Sequence, residues 1–475
     1  MIERVLVVAY LLSCIGIGVY FSRKVFHSSD EYWVAGRRIG PWVNSMAIMA
    51  ALASGGSIIG VMGYAYRLGI PTTLSLFAGS IVGFPMASIL VAKPLRRFGR
   101  FTITDFMSWR YPHALIRLGV PLLIVVSFTM YIVTQMKAAG DTAEQLLGIP
   151  YEYALPMATI VFVLYVSVGG MLAITWTDVV QGALMVAVVV GTAGLLISRY
   201  GNPSEILNAS FTAAPELAAA PKESWATGLG AFVIWAAAIP IVPHVVMRVY
   251  TAKDAHGAKL SLNLAMIFYA ILILSAVLII VPVAKTLFPN LEQPDRVFLM
   301  IIQSQFNPFI RGLAVAAVLA AVMSTTDALL LACSSAIAHD LVAKAWGKEL
   351  SNEALGRINI AVVWAVGLVA MCLAFDPPPL ITGYYTDAIG ALSAGLFVPV
   401  VAGLWWKRAN LAGGLAAFLL GVVAYVLLSN TPELPNRSPI LLALPISALS
   451  MFLGGYFGAP DDPAMIDDVA QLHGS

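Results

Sequence analysis

The sequence predicts an all-α polytopic membrane protein of about thirteen transmembrane helices, and three observations carry that expectation. With 60% hydrophobic and only 11% charged residues and a mean hydropathy of +0.86, no stretch is left for a soluble domain of any size. Apolar runs close to the roughly 20 residues that cross a bilayer recur along the whole chain. Glycine or proline interrupts two of these runs, although backbone groups at membrane depth must find partners inside the protein. The net charge of +2 and the absence of a basic run argue against a nucleic-acid partner.

Taken in order, the chain opens with an apolar run from residue 5 to 21 that ends at Arg23 and Lys24. It has no small-residue cleavage site, so it reads as a retained first helix. Spans are expected at 4–21, 41–67, 71–92, 115–138, 153–171, 178–198, 227–247, 259–287, 309–338, 358–375, 381–404, 410–429 and 438–458, with the shortest connections at 68–71 and 172–177. The longest loops are 199–226, rich in Ala, Pro and Glu, and 93–113. In the latter, Phe98, Phe101, Phe106 and Trp109 among arginines suit a piece lying in the membrane interface. The acidic tail from Asp461 is expected to be mobile. Eighteen of the 27 lysines and arginines fall on one side, Arg248 and Lys348 counted among them, which places the N-terminus outside and the C-terminus in the cytoplasm.

The first interruption lies in 50–63, where Gly55 and Gly56 stand between Ser54 and Ser57. A discontinuous helix offering carbonyls and helix ends to an ion or solute is one reading. Close helix packing through small residues is the other, and this stretch alone leaves both open. The second interruption is in 227–247, where Pro240 and Pro243 remove ladder hydrogen bonds three residues apart. Breaks in corresponding helices of two halves are the pattern of inverted-repeat transporters. The domains expected are a first peripheral helix and cytoplasmic loop at 1–40, five-helix repeats at 41–199 and 227–404 separated by an external loop at 200–226, and two C-terminal helices with a tail at 405–475.

Ala321, Ser324 and Thr325 share one helical face, so a carbonyl and two hydroxyls point the same way. Opposite the carbonyls of Ala50 and Ala53 they would supply the oxygen ligands that a hard monovalent cation takes. Hydroxyls bonding back to their own helix are the alternative. Asp327, an ionisable group deep in a span, calls for a partner, a cavity or an ion path. Asp178 stands where a span opens and is open to a plainer role as a carboxylate at a helix N-terminus. Lys137 and Asp387 read as solvated or snorkelling ends, and Trp235 on position alone as packing. Cys14, Cys333 and Cys372 and the six histidines show no ligand spacing, so neither a disulfide nor a metal site is inferred.

These motifs resemble the sodium:solute symporter family over nearly the whole chain. The matching strings are Asp30 to Arg37 before the first core helix, 54–63, the run from Gly169 to Gln181, Pro243-His244 with Arg248, Met323-Ser324-Thr325, and Gly403 to Arg408. The resemblance implies a LeuT-type core of ten helices with one helix before and two after, and alternating access in a bacterial cytoplasmic membrane. It implies Na+ as coupling ion with no organic cofactor, held by backbone oxygens of Ala50, Ala53 and Ala321 and hydroxyls of Ser324 and Thr325. A second cation or proton site falls on Asp178 and on Asp327, where relatives carry a hydroxyl. The substrate positions fall on Gly56, Ser57, Trp235, Ile239 and Pro243, with Gly55 as the turn beside them. Partners are a small solute and the lipid bilayer, with a monomer as the working unit. Small residues at these points suit a carboxylate of the monocarboxylate or pantothenate type; the alternatives are a proline-type amino-acid symporter and a transporter-fold sensor. An enzyme is not expected, because no nucleophile with a base, metal cluster or catalytic carboxylate pair is seen.

Overall fold

The computed structural model describes residues 2–25, 33–219, 223–345, 352–376 and 381–474. Residues 30–32 of the first family-like string and Lys348 lie outside them. Among the described residues the chain is helical, with a single isolated bridge between Ile39 and Ala252.

The helices follow in order: α1 (Ile2–Val25), α2 (Pro41–Leu52), α3 (Val61–Leu68), α4 (Ile70–Leu90), α5 (Ala92–Phe98), α6 (Ile103–Arg110), α7 (Ala114–Thr142), α8 (Tyr151–Tyr200), α9 (Pro203–Ala213) and α10 (Trp225–Ala238). After these come α11 (Pro243–Thr251), α12 (Ala255–Ser275), α13 (Val281–Leu287), α14 (Val297–Gln305), α15 (Pro308–Ser335), α16 (Asn352–Leu373), α17 (Ile381–Trp405), α18 (Leu411–Ser429), α19 (Ile440–Phe457) and α20 (Pro463–Gln471). Their starts follow from local chemistry. Proline heads α2, α11 and α15, where its missing N–H costs nothing. Asn307 caps α15 by accepting the N–H groups of Phe309 and Ile310, and Thr102 with Asp105 forms a reciprocal cap on α6.

Eleven of the described helical spans are long and apolar enough to cross a membrane, a twelfth is the bent pair Pro41–Leu52 with Gly56–Leu68, and Tyr151–Leu164 is shorter. The expected count of thirteen is therefore reached only if that short helix is counted. The connection expected at 172–177 does not exist. A single residue, Gly170 (φ 56°, ψ 179°), turns the chain inside α8 and helix resumes at once. Similarly Gly69 (φ 92°) alone joins α3 to α4.

In the 93–113 stretch α5 and α6 pack inward, with Phe106 fully buried and Arg110 2% exposed. A further expectation is corrected. The tail is docked rather than mobile: α20 leads to His473, whose Nε2 lies 2.8 Å from the carbonyl of Leu404, and Asp461 pairs with Arg110. The central helix is α15, buried on nearly every side against α1, α7, α8 and α16. It places Ser324 to Asp327 at the middle of the molecule.

Candidate cation and solute sites

The first break is a sharp one. Helix α2 ends at Leu52, Ala53 (φ −75°, ψ 68°) leaves the helical ladder, and a wide π-turn over Gly56–Gly60 leads into α3 at 65° to α2. The freed groups are taken up by side chains. Gly55 N–H donates to Oε1 of Gln135 on α7 at 3.0 Å, Ser57 N–H to Ser54 Oγ at 3.1 Å, and Ser57 Oγ to the Leu52 carbonyl at 3.1 Å. A Cβ on Gly55 would lie 2.7 Å from Val322 and 2.8 Å from Ala138, so glycine is required by close approach.

Across this break stands α15. Ser324 Oγ donates to the Ala50 carbonyl at 2.9 Å and lies 3.2 Å from the carbonyl of Ala321, while Thr325 Oγ1 donates to Ala51 at 3.0 Å. The structure thus brings Ala50, Ala321, Ser324 and Thr325 together, and adds the Ala51 carbonyl, which the sequence does not single out. Thr326 only bonds back to Val322, at 2.6 Å.

Two residues on, Asp327 is fully buried and neither carboxylate oxygen has a hydrogen-bond partner among the described residues. Asp178 does not sit at a helix end or interface. It lies two turns inside the second leg of α8, fully buried, and is paired with Arg248 of α11. Arg248 is correspondingly no loop residue: it is 1% exposed, donates from Nε to the Ala47 carbonyl at 3.1 Å, and so ties α11 to α2. Asp327 interacts electrostatically with both members of that pair. Gln181, one turn beyond Asp178, donates to the hydroxyl of Tyr10 on α1 at 3.1 Å.

The second break, at 239–242, closes on its own backbone, with the N–H groups of Ile241 and Val242 both donating to the Ala238 carbonyl at 2.8 Å. Just before it, Trp235 donates from Nε1 to Thr386 at 3.3 Å and meets the Tyr385 ring edge-on, centroids 5.7 Å apart. Tyr385 also stacks on Tyr131 at 4.8 Å, and its ring lies directly on Gly56. Trp235 and Gly56 are therefore joined through Tyr385, a residue absent from the sequence reading although an aromatic beside a threonine in an apolar span was a visible signal. Ile239 packs against Gly83 of α4 and Pro243 heads α11. Ser57 Oγ also lies 3.4 Å from the hydroxyl of Tyr269 on α12.

Lys137 is not a snorkelling end. It is 12% exposed and pairs with Asp141 at 2.6 Å and with Asp295 at 3.8 Å, beside a cavity of about 350 Å³. Burial pushes the Asp295 carboxyl up to about 7, against the opposing charge of Lys137. Asp387 is half exposed, as a solvated end would be.

A family model described as the sodium:solute symporter family matches residues 32–421. The osmoregulated proline transporter OpuE of Bacillus subtilis is 29% identical over 94% of this chain and 92% of its own. The sodium/pantothenate symporter of Escherichia coli is 30% identical over 95% of each. The fold is similar to that of a Na+-coupled sialic acid symporter solved in a substrate-bound outward-open state, with a TM-score of 0.79 at 17% identity, covering 97% of this chain and 98% of that one.

Proposed function

The chain is a member of the sodium:solute symporter family, and from that premise we propose that it imports a small carboxylate-bearing solute on a sodium gradient by alternating access. The observation that carries this reading is the meeting of the Ser324 and Thr325 hydroxyls with the Ala50 and Ala51 carbonyls beside the break at 53–55. A sodium ion is held by backbone oxygens of Ala50, Ala53 and Ala321 and by the two hydroxyls. On its arrival each O–H turns away from its carbonyl, so that hydroxyl and carbonyl lone pairs both face the ion. The ion then bridges α2 and α15, and its tighter binding to one arrangement of the two repeats, 41–199 and 227–404, shifts the population toward that arrangement.

The solute lies against Gly55, Gly56 and Ser57, with Trp235, Ile239 and Pro243 opposite. N–H groups where a helix leg begins favour an anionic group, and the small-residue floor under Tyr385 suits a partly apolar body. Support for the class comes from the relatives named above, since proline and pantothenate both carry a carboxylate. Asp178, Asp327 and Arg248 sum to one net negative charge in a site exposed by no more than 1%, which a single monovalent cation, a second sodium ion or a proton, balances.

The experiment is uptake of labelled pantothenate, proline and acetate into proteoliposomes under an inward sodium gradient, with potassium as control. Accumulation of one of them that requires sodium is the expected result. Uptake indifferent to sodium would overturn the reading, and equal pH profiles and ion stoichiometry in Asp327→Asn and the parent would remove Asp327 from coupling.

A further inference from the structure

We propose that Asp105, His339 and Asp340 form a binding site for a divalent transition ion of the zinc class, and that the bound ion clamps α6 to the end of the central helix α15. The three residues come from two elements far apart in the chain. Asp105 is in the first turn of α6, and His339 and Asp340 lie on the wide π-turn Ala336–Ala345 that continues α15.

One donor atom from each of the three lies within 4.8 Å of the other two. His339 Nε2 is 3.4 Å from Asp105 Oδ2 and 4.0 Å from Asp340 Oδ1. Zinc bonds of about 2.0–2.2 Å set tetrahedral ligands about 3.3–3.6 Å apart, so side-chain adjustments alone close the site. Asp105 and Asp340 are 4% and 3% exposed, so both carboxylates are held inside the protein rather than on its surface.

A second observation points into the same place. Thr104 Oγ1 is buried without a hydrogen-bond partner among the described residues, and Thr104 lines with Asp105 and Asp340 a cavity of about 340 Å³. A hydroxyl so placed suits a water on the ion's fourth position. The carboxylates are already oriented for this role. Asp105 Oδ2 accepts the N–H groups of Phe101 and Thr102 at 3.0 and 3.2 Å, and Thr102 Oγ1 donates to Asp340 at 3.1 Å. One imidazole with two carboxylates selects zinc, manganese or cobalt over the all-oxygen preferences of calcium and magnesium. Arg100 and Arg117 line the same cavity, and their positive charge weakens the affinity for a cation there. The plainer arrangement is a His339–Asp105 ion pair that ties the two elements without metal, and the test separates the two.

The full-length protein in detergent, stripped with a chelator, is titrated with Co2+ and followed by visible absorption, then with Zn2+ by calorimetry. One equivalent is expected to bind, with affinity falling at least about tenfold in His339→Gln and in Asp340→Asn, while thermal midpoints in chelator stay near the parent's. Zn2+ added to the face bearing the site is expected to slow uptake in the parent and not in His339→Gln. A Co2+ spectrum unchanged in both variants, or no binding by the parent, would overturn the site whatever solute is carried.

Discussion

The two helix breaks at the centre of the molecule are made of different materials, and they leave different things behind. The break at 53–55 is made of glycine, serine and alanine, and its loose backbone groups are satisfied from elsewhere: Gln135 of α7, Ser54 and Ser57, and the hydroxyls of α15. The break at 239–242 is made by prolines and satisfies itself, through two bonds to the Ala238 carbonyl. Hydroxyl partners can be exchanged for an ion or a solute, whereas a turn closed on its own carbonyl has nothing to exchange. On the proposed reading the first break is the one that can take a ligand, and the second serves to set Trp235 and Arg248 on either side of itself.

The comparison breaks most severely at the hydroxyls. Ser324→Ala with Thr325→Ala removes two oxygens that on the proposed reading meet a charged species, each worth about 1.5–3 kcal/mol, so half-saturation by sodium should rise by about two to four orders of magnitude with expression intact. Sodium-activated uptake in proteoliposomes checks this, and a parent-like curve would mean that the glycine break is only a packing device. Gly56→Ala should come next. Its Cβ meets a Tyr385 ring already wedged between Tyr131 and Trp235, an overpacking of about 1–3 kcal/mol that lowers maximal uptake by about tenfold while sodium half-saturation changes less.

Gln135→Leu orphans the buried Gly55 N–H, which costs about 1–3 kcal/mol and should lower the thermal midpoint of the purified protein by several degrees. Asp295 tests the second leg of the same break, since it packs directly on Gly63 of α3. With its carboxyl raised to about 7, the folded chain keeps a proton that the unfolded chain releases near pH 4. Stability therefore falls as pH rises between about 4 and 7, and Asp295→Asn should flatten that part of a thermal-midpoint profile. Smallest is Pro243→Ala. Proline at the head of α11 gives up no hydrogen bond and chiefly stiffens the unfolded chain, so the stability should change by no more than about 1 kcal/mol with sodium activation unchanged. A large loss there would show that the second break is held open rather than closed on itself.

The sequence by itself determined the fold class, the positions of most of the long spans, the two interrupted helices and the family to which the chain belongs. Each of these is written in local terms: run length, breaker residues, and the spacing that puts Ala321, Ser324 and Thr325 on one face. Tertiary structure decided which groups meet. It gave Thr325 the carbonyl of Ala51, laid Tyr385 over Gly56, turned Arg248 inward onto Asp178, moved Lys137 into an ion network, and docked the tail on Arg110. The cause is the same in every case. In an apolar chain a polar group is costly to leave without a partner, but local spacing does not say which of several distant groups will arrive, because the partner comes from a helix tens or hundreds of residues away. Asp327 marks the boundary between the two: its cost in the membrane is legible in the sequence, and only the fold shows that Asp178 and Arg248 are its neighbours.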